Sequence, residues 1–511
     1  MKTDQTTQAW QLYEQGQAYK RRIGLYETVR RNEKFYRGEQ WKTTDDTLPR
    51  PVFNLIRRVI DYLIGAVAAN EPSIHYTDER LPFLDTAAIR DKVSEGLSLL
   101  NKNAAYRWTQ NRMTELSQRA LLDAAISGDG IFYCWWDDSC NCGQPFCGDI
   151  RTELIPNTSY FPADPEKSDV QGQDYILLSG RTTVEALRRE AIEAGMEIAL
   201  ANEILPDNDT PTPAPLSDLP PKATFLLRFF KENGEVVFEK STRSHVIRRV
   251  ATGLKYYPIA YFHWTPTQNS CHGSSPISEM IPNQKYINSA YAMVMKHMTD
   301  TAFSKIIYDK SRIPEWSNEV GEAIAAMGGG NVSDAVSVVG VGKLQEGYLD
   351  LISSVIENTK AMMGATDSAL GDERASNTSA ILALQEASYV ALRQVQARFS
   401  RCLGEVASIW ADMLCAYSAP ERLLPYSENG EPRASRLDYK LLQKELLHAT
   451  AEASGVTRFT PSATVTVLDH LLDRGHIDLT QYLDHLPDGC IHDKNALLQS
   501  VREKGGPKEN V

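Results

Sequence analysis

Residues 364–414 read GATDSALGDERASNTSAILALQEASYVALRQVQARFSRCLGEVASIWADML. The opening part, to Ser379, is polar, small and acidic. From Ala380 onward, apolar or small residues fall at 381, 384, 388, 391, 395, 399, 403, 406, 410 and 413. Each step is three or four, with a mean of about 3.6, which is the period of a straight helix packed inside a larger body rather than of a free coiled coil. The pattern predicts a helix over Ala380–Leu414, roughly 50 Å long and about three times the ordinary length. Ser376, Asn377 and Thr378 are its candidate N-caps, because a short side-chain oxygen can accept from the free N–H groups of the first turn.

Reading upstream, Leu349–Met363 forms a second helix. Before it lies a compact mixed segment: a strand at Lys305–Asp309, a helix at Asn318–Met327, three glycines, then a strand at Ala335–Val339. A long helix precedes this segment, with the stripe Ile277, Ile281, Ile287, Tyr291, Val294 and Met298, and with Pro282 expected in its first turn. The N-terminal part reads as helices over 8–38, Asn54–Ala69 and two stretches within 84–127. Gly128-Asp129-Gly130 then turns the chain into a hairpin of Ile131–Trp136 and Asp149–Ile155. From 150 to 264 the texture is mixed. It has a strand at Tyr175–Ser179, a helix at Thr183–Ala194, a proline-rich loop over 205–221, a hairpin about Asn233-Gly234 and the apolar run Tyr257–Phe262. After 419 the chain is polar and then helical, at Leu441–Ala449, Thr466–Arg474 and from Leu479. The expected fold class is α+β, predominantly helical.

The chain has 511 residues with 54 basic and 66 acidic side chains, a formal charge of −12. That balance speaks against coating nucleic acid by bulk positive charge. The basic run Lys20, Arg21, Arg22 and the pair Arg30, Arg31 read as a solvated helix face. The N-terminal residues carry no apolar core of a secretory signal, and Val59–Ala69 is too short to span a bilayer, so synthesis in the cytoplasm and no membrane partner are expected. Eight cysteines are too few for a disulfide scaffold. Cys134, Cys140, Cys142 and Cys147 cluster, but their spacing is not that of zinc knuckles, and the hairpin around them accounts for their proximity; a small metal or redox staple is the alternative, and no metal ligand is assigned.

Catalytic motifs are missing. The nearest string to a phosphate-binding loop, Gly340-Val341-Gly342-Lys343-Leu344, lacks both the first glycine and the hydroxyl after the lysine. There is no metalloprotease, nucleophile-elbow or dinucleotide motif, and Cys271-His272 beside His263 reads as incidental. No catalytic residue and no cofactor are expected.

Several strings resemble the portal (head-to-tail connector) proteins of tailed bacteriophages. They are Asn32–Trp41, Arg50–Ile56, Gly128-Asp129-Gly130, Gly148-Asp149-Ile150, Asp164-Pro165, and Trp264 with Gly273–Ile277, Gln284 and Ile287-Asn288. The polar loop ending Ser376–Ile381 resembles that family's tunnel loop, with Thr378-Ser379 where Ser-Gly is usual. The resemblance covers about 30–415. It implies a fold with wing, stem, clip and crown, assembled as a closed ring, typically of twelve copies. Carried over, 1–275 is the wing, 276–308 a stem helix and 309–347 the clip. The second stem helix is 348–364, the tunnel loop 365–379, the long wing helix 380–418 and a helical crown 419–511.

The resemblance further implies a virion protein at one capsid vertex, in host cytoplasm before assembly. Its partners would be other copies of itself, double-stranded DNA in the channel, the terminase large subunit, the major capsid protein and a head–tail adaptor. Asp367, Ser368, Asp372, Glu373, Arg374, Ser376 and Asn377 would then face the channel. Lys296, Lys305, Lys310 and Arg312 are candidates for passing contacts with phosphates. Two other classes remain open from the residues: a non-portal helical scaffold or adaptor of the virion, and a head-associated nuclease or protease.

Overall fold

A computed structural model describes residues 6–41, 48–68, 72–207, 220–302, 305–317, 319, 323–339, 347–365, 378–428, 431–438, 442, 447–453, 461–486, 491, 497–498 and 500–501. The fold is mixed α+β, 47% helix and 23% strand, with open sheets.

Thr7 caps α1 (Gln8–Arg22) by accepting from the Trp10 N–H. The chain turns at Gly24 into α2 (Leu25–Arg37), which stops at Gly38. Asn54 accepts from the Arg57 N–H and starts α3 (Leu55–Val67). The 3-to-4 spacing of Ile56, Val59, Ile60, Leu63 and Val67 puts all five on one buried face. Strand β1 (Pro72–Asp78) follows, then α4 (Ala87–Gln110) and α5 (Met113–Ser127). Gly128 ends α5 with φ 95°, and a Cβ there would overlap the Gly273 carbonyl, so only glycine fits this turn.

The chain then builds two antiparallel sheets. β2 (Asp129–Asn141), β3 (Cys147–Leu154), β4 (Tyr160–Pro162) and β5 (Tyr175–Thr183) come first. Helices α6 (Val184–Glu193) and α7 (Ile198–Ala201) follow, then β6 (Lys222–Glu232), β7 (Glu235–Ser241), β8 (Val246–Ala251) and β9 (Ile259–His263). One sheet has the order β3-β2-β9 and the other β4-β5-β6-β7-β8. Asn233 and Gly234, both at positive φ, make the tight β6–β7 turn.

Helix α8 (Pro276–Thr301) leaves this body. It is followed by β10 (Lys305–Tyr308), β11 (Val336–Val339) and α9 (Gly347–Met362). β10 and β11 form a two-stranded ribbon, and α9 returns along α8, where Asn283 Nδ2 donates to Thr359 Oγ1 at 3.0 Å. The long helix α10 (Thr378–Tyr417) then enters the main core. Phe399, Leu403, Val406, Trp410 and Met413 are buried against β2, β9 and α3, and Trp410 Nε1 donates to Thr152 Oγ1 at 3.0 Å. The chain continues through β12 (Leu423–Glu428), β13 (Glu431–Arg436), β14 (Leu447–Ala453), α11 (Pro461–Asp473) and α12 (Leu479–His485). A Cβ at Gly404 would come within 2.9 Å of the Ala449 carbonyl, so the glycine is what lets β14 lie directly on α10.

Four local expectations are corrected. Pro282 is not in the first turn. Pro276 takes that place and Pro282 lies inside α8, where its ring removes the bond to the Ser278 carbonyl. No helix forms over the described part of 318–327. Residues 323–327 are irregular, and the Met327 N–H is used by the Arg312 carbonyl at 2.7 Å. Residues 447–449, expected to end a helix, instead begin β14, which pairs with β1 from Pro72↔Ala453 to Asp78↔Leu447. The segment after 419 is thus not simply helical, since it also supplies the β12–β13 hairpin. Pairing across more than 360 positions of sequence decides both strands, and local spacing carries no sign of it.

Candidate assembly surface

The arm made by α8, α9 and the β10–β11 ribbon differs from the rest of the chain in what it covers. Near its root, α8 buries Ile277, Met280, Ile281, Ile287 and Val294. Further along, Met293 is 64% exposed and Met298 60% exposed. On α9 only Ile352 and Thr359 are buried, while Tyr348, Leu349 and Leu351 are open to water and Met362 is 79% exposed. Ile306, Ile307 and Val338 on the ribbon are exposed as well. Large exposed apolar side chains gathered on one arm are the usual mark of a contact with another chain.

The root of the arm is held by a buried chain of amides. Gln284 Oε1 accepts from the backbone N–H of Leu55 and Ile56, at 3.0 and 3.3 Å, capping α3 from outside. Its Nε2 donates to the Phe53 carbonyl at 2.8 Å and to Asn288 Oδ1 at 2.9 Å. Asn288 Nδ2 donates to Gln40 Oε1 at 2.6 Å, and Gln40 Nε2 reaches the Phe35 carbonyl and Asn54 Oδ1. Gln40, Asn54 and the pair Gln284 and Asn288 come from three segments of the chain, and each belongs to a string that carries the portal resemblance. Their shared role is to fix where the arm leaves the body, because an amide buried without its partners costs about 1–3 kcal/mol.

A second buried node lies beside it. Asp129 is wholly buried in the Gly128-Asp129-Gly130 string. Its Oδ1 lies 3.1 Å from His263 Nδ1 and accepts from the Gly273 N–H at 2.8 Å. Its Oδ2 lies 2.9 Å from His272 Nδ1 and accepts from Asn157 Nδ2 at 3.0 Å. Burial alone would raise this carboxyl, but the two imidazoles, by hydrogen bonding and charge, hold it far below the usual carboxylate range. His263 and His272 are therefore not incidental; they are the donors that keep the carboxylate in place. Cys271 is buried and its thiol is pushed up to about 12 by desolvation, so it is not an activated nucleophile. A second surprise is Lys20. The basic run does expose Arg21 and Arg22, but Lys20 is 1% exposed and points inward, a correction to its reading as solvated face. A cation inside a basic run gives no sequence sign of burial, because its acceptors, the carbonyls of Asn157 and Tyr160, are backbone atoms far along the chain.

The expected channel residues fall unevenly. Lys296 lies on α8 and pairs with Asp300 at 3.3 Å. Lys305 begins β10, with its backbone opposite Val339. Lys310 is exposed in the turn after β10, and Arg312 Nη2 donates to the Asn331 carbonyl at 3.3 Å. All four lie on the arm, three of them at its far end. Asp367, Ser368, Asp372, Glu373, Arg374, Ser376 and Asn377 lie outside the described residues. Cys134 is buried with Sγ 3.7 Å from Thr152 Oγ1, whereas Cys142 Sγ donates to the Phe146 carbonyl and Arg151 donates to Cys140 Sγ. Among the described residues no group of three or more His, Cys, Asp or Glu could hold a metal, and no helix is long and apolar enough to cross a membrane.

The described residues thus combine a buried core, an arm that exposes apolar side chains and buried polar joints at the arm's root. Residues 231–427 match the family model described as Phage P22-like portal protein, which supports portal-family identity from this part of the chain. No curated protein matches the chain. Among solved structures it is similar to a chain in the neck of an empty GTA particle computed with C6 symmetry, at 12% identity and TM-score 0.37, covering 87% of this chain and 90% of that one. It is also similar to a chain in the virion of a native gene transfer agent particle, at 11% identity and TM-score 0.37, covering 87% and 89%.

Proposed function

We propose that the chain closes into a ring, of about twelve copies, at one vertex of a capsid. Through this ring terminase drives double-stranded DNA during packaging, and by it the DNA later leaves. The observation that carries this reading is the arm: two long helices and a ribbon on which Met293, Met298, Leu349, Leu351, Met362 and Ile307 lie exposed in one chain. Head-to-tail contacts that close use such a surface on every copy. In this reading residues 1–275 are the wing, 276–308 and 348–364 the stem, and 309–347 the clip that meets terminase and then the head–tail adaptor. The tunnel loop is 365–379, the long wing helix 380–418 and the crown 419–511, with the major capsid protein around the outside.

Charge supports the same reading. Duplex DNA is a dense polyanion, and a strongly basic bore would hold it against movement. Twelve copies at −12 would give the ring roughly −144. Lys296, Lys305, Lys310 and Arg312 on the arm then supply a few passing phosphate contacts, and the loop residues Asp367 to Asn377 line the passage.

Negative-stain microscopy of the purified full chain tests the assembly. Rings with a hole about the width of a duplex are expected; compact monomers at every salt and concentration would overturn the reading. Removing 367–376 tests the loop: rings should still form, while DNA packaging stops. Full packaging by that deletion would remove the loop from the passage.

A further inference from the structure

The buried node at Asp129 does not end at its two histidines. Asn157, whose side chain donates to Asp129 Oδ2, offers its backbone carbonyl to Lys20 Nζ. Lys20 also donates to the Tyr160 carbonyl, and its Nζ lies 3.8 Å from the centre of the Phe161 ring. Two carbonyls and an aromatic face thus receive the three protons of an ammonium, inside the protein and with no carboxylate in contact among the described residues. At the other end, Asp129 Oδ1 holds the Gly273 N–H, the Trp264 N–H holds the Gly128 carbonyl, and Ser275 Oγ holds the Ala125 carbonyl. These are the residues from which α8 springs. One polar chain therefore runs from α1, through the turn before β4, to the root of the arm.

The chain also holds more than one proton site with room to change. Buried His272 Nε2 and Asn157 Oδ1 have no hydrogen-bond partner. Tyr261 Oη lies 3.3 Å from His272 Nδ1. The groups facing the chain are Tyr160 and Tyr261, both raised well above the ordinary phenol range by burial, and Cys271. At its rim stand Tyr19, Asp164, Glu166, Asp169 and, facing His263, Glu405 beside Arg401. Every phenol and the thiol here are neutral near pH 7, so the groups whose charge burial and neighbours shift are Asp129, held low, Lys20, and Glu405, which desolvation raises to about 7.

We propose that Lys20, Asn157, Asp129, His263 and His272 form a proton-linked latch, in which the protonation of Lys20 sets how firmly the root of α8 is held to the body. Desolvation lowers Lys20 to about 7, with the charge of Asp129 acting against it. An unfolded chain would hold that proton up to the ordinary lysine value near 10.5. The sign follows: the cost of burying the charge is complete below pH 7 and fades as pH rises from 7 towards 10.5. The latch is therefore tighter on the alkaline side.

The test is a pH profile of the full chain between pH 8 and 10, above the range in which Glu405, raised by burial to about 7, changes its charge, with thermal unfolding and backbone hydrogen-exchange protection read together. In the unaltered protein the unfolding temperature should rise with pH. Protection at both 157–162 and 271–276 should rise several-fold after correction for intrinsic exchange. Lys20→Met removes the titrating amine, and Lys20→Arg keeps a cation that does not lose its proton; both profiles should be flat at both segments. A profile that persists in either variant would overturn the proposal, because another group would then be titrating. A change confined to 157–162 in the unaltered protein would also overturn it, because Lys20 would then act only on its own surroundings.

Discussion

The body around α10 and the arm of α8 and α9 solve opposite problems with similar residues. In the body, Trp410, Phe132 and Phe262 are covered on every side, and Asp129 meets a donor at each lone pair. On the arm, Met293, Met298 and Met362 face water although each could contribute about 1.5–3 kcal/mol if covered. These body side chains are covered within one chain and these arm side chains are not. In the proposed ring, burial within a copy would set the stability of the first, and burial between copies would fall to the second.

The sharpest way to break this contrast is to place charge on the arm. Met293→Glu with Met298→Glu should leave the unfolding temperature of the isolated chain nearly unchanged, within about 0.5 kcal/mol, since both side chains are already solvated. Ring formation should be lost, because two carboxylates per copy would have to be buried at each contact. Sedimentation or negative stain reads the second effect and calorimetry the first. A chain that still closes into rings would show that the arm is not an interface.

The reverse change in the body should act on stability alone. Trp410→Ala removes a fully buried ring and the bond to Thr152, and should cost about 3–5 kcal/mol. Denaturant unfolding measures it. Any rings that the variant forms below its lowered midpoint should look ordinary.

How much of this was legible beforehand follows the same division. The helix over Ala380–Leu414 could be read because its apolar spacing is local, and α10 runs from Thr378 to Tyr417. The Asn233-Gly234 turn and the start of a helix at Asn54 were readable for the same reason. β14 was not, because what makes Leu447–Ala453 a strand is β1, and nothing within either segment says that they meet. The amide chain from Gln284 to Gln40 was visible only as strings resembling a family; its chemistry needed three distant segments brought together. Lys20 was misread because spacing along a helix separates inner from outer faces but does not reveal that a carbonyl pair waits inside.

The smallest expected effect separates two aspartates six positions apart. Asp129 is buried among donors and held low. Asp123, on α5, has neither hydrogen bond nor ion pair to its carboxylate among the described residues, and desolvation pushes it up to about 6, with Arg119 only partly opposing this. Its carboxyl sits at 3.8 when unfolded. It therefore costs nothing below about pH 4, and an increasing amount as pH rises through 6, after which the cost is constant. Asp123→Asn should gain about 1–2 kcal/mol at pH 7.5, allowing for water that reaches a partly exposed group, and nothing below about pH 4. Asp129→Asn should lose stability at both pH values, since its stabilisation is present above 3.8 and fades only as the acid approaches its low folded value. The Asp123 window closes near pH 6 and the Lys20 window opens near pH 7, so unfolding profiles of the single variants resolve the two groups without interference. If Asp123→Asn were neutral at pH 7.5, the body would tolerate an uncompensated carboxylate. Its distinction from the arm would then rest on apolar cover alone.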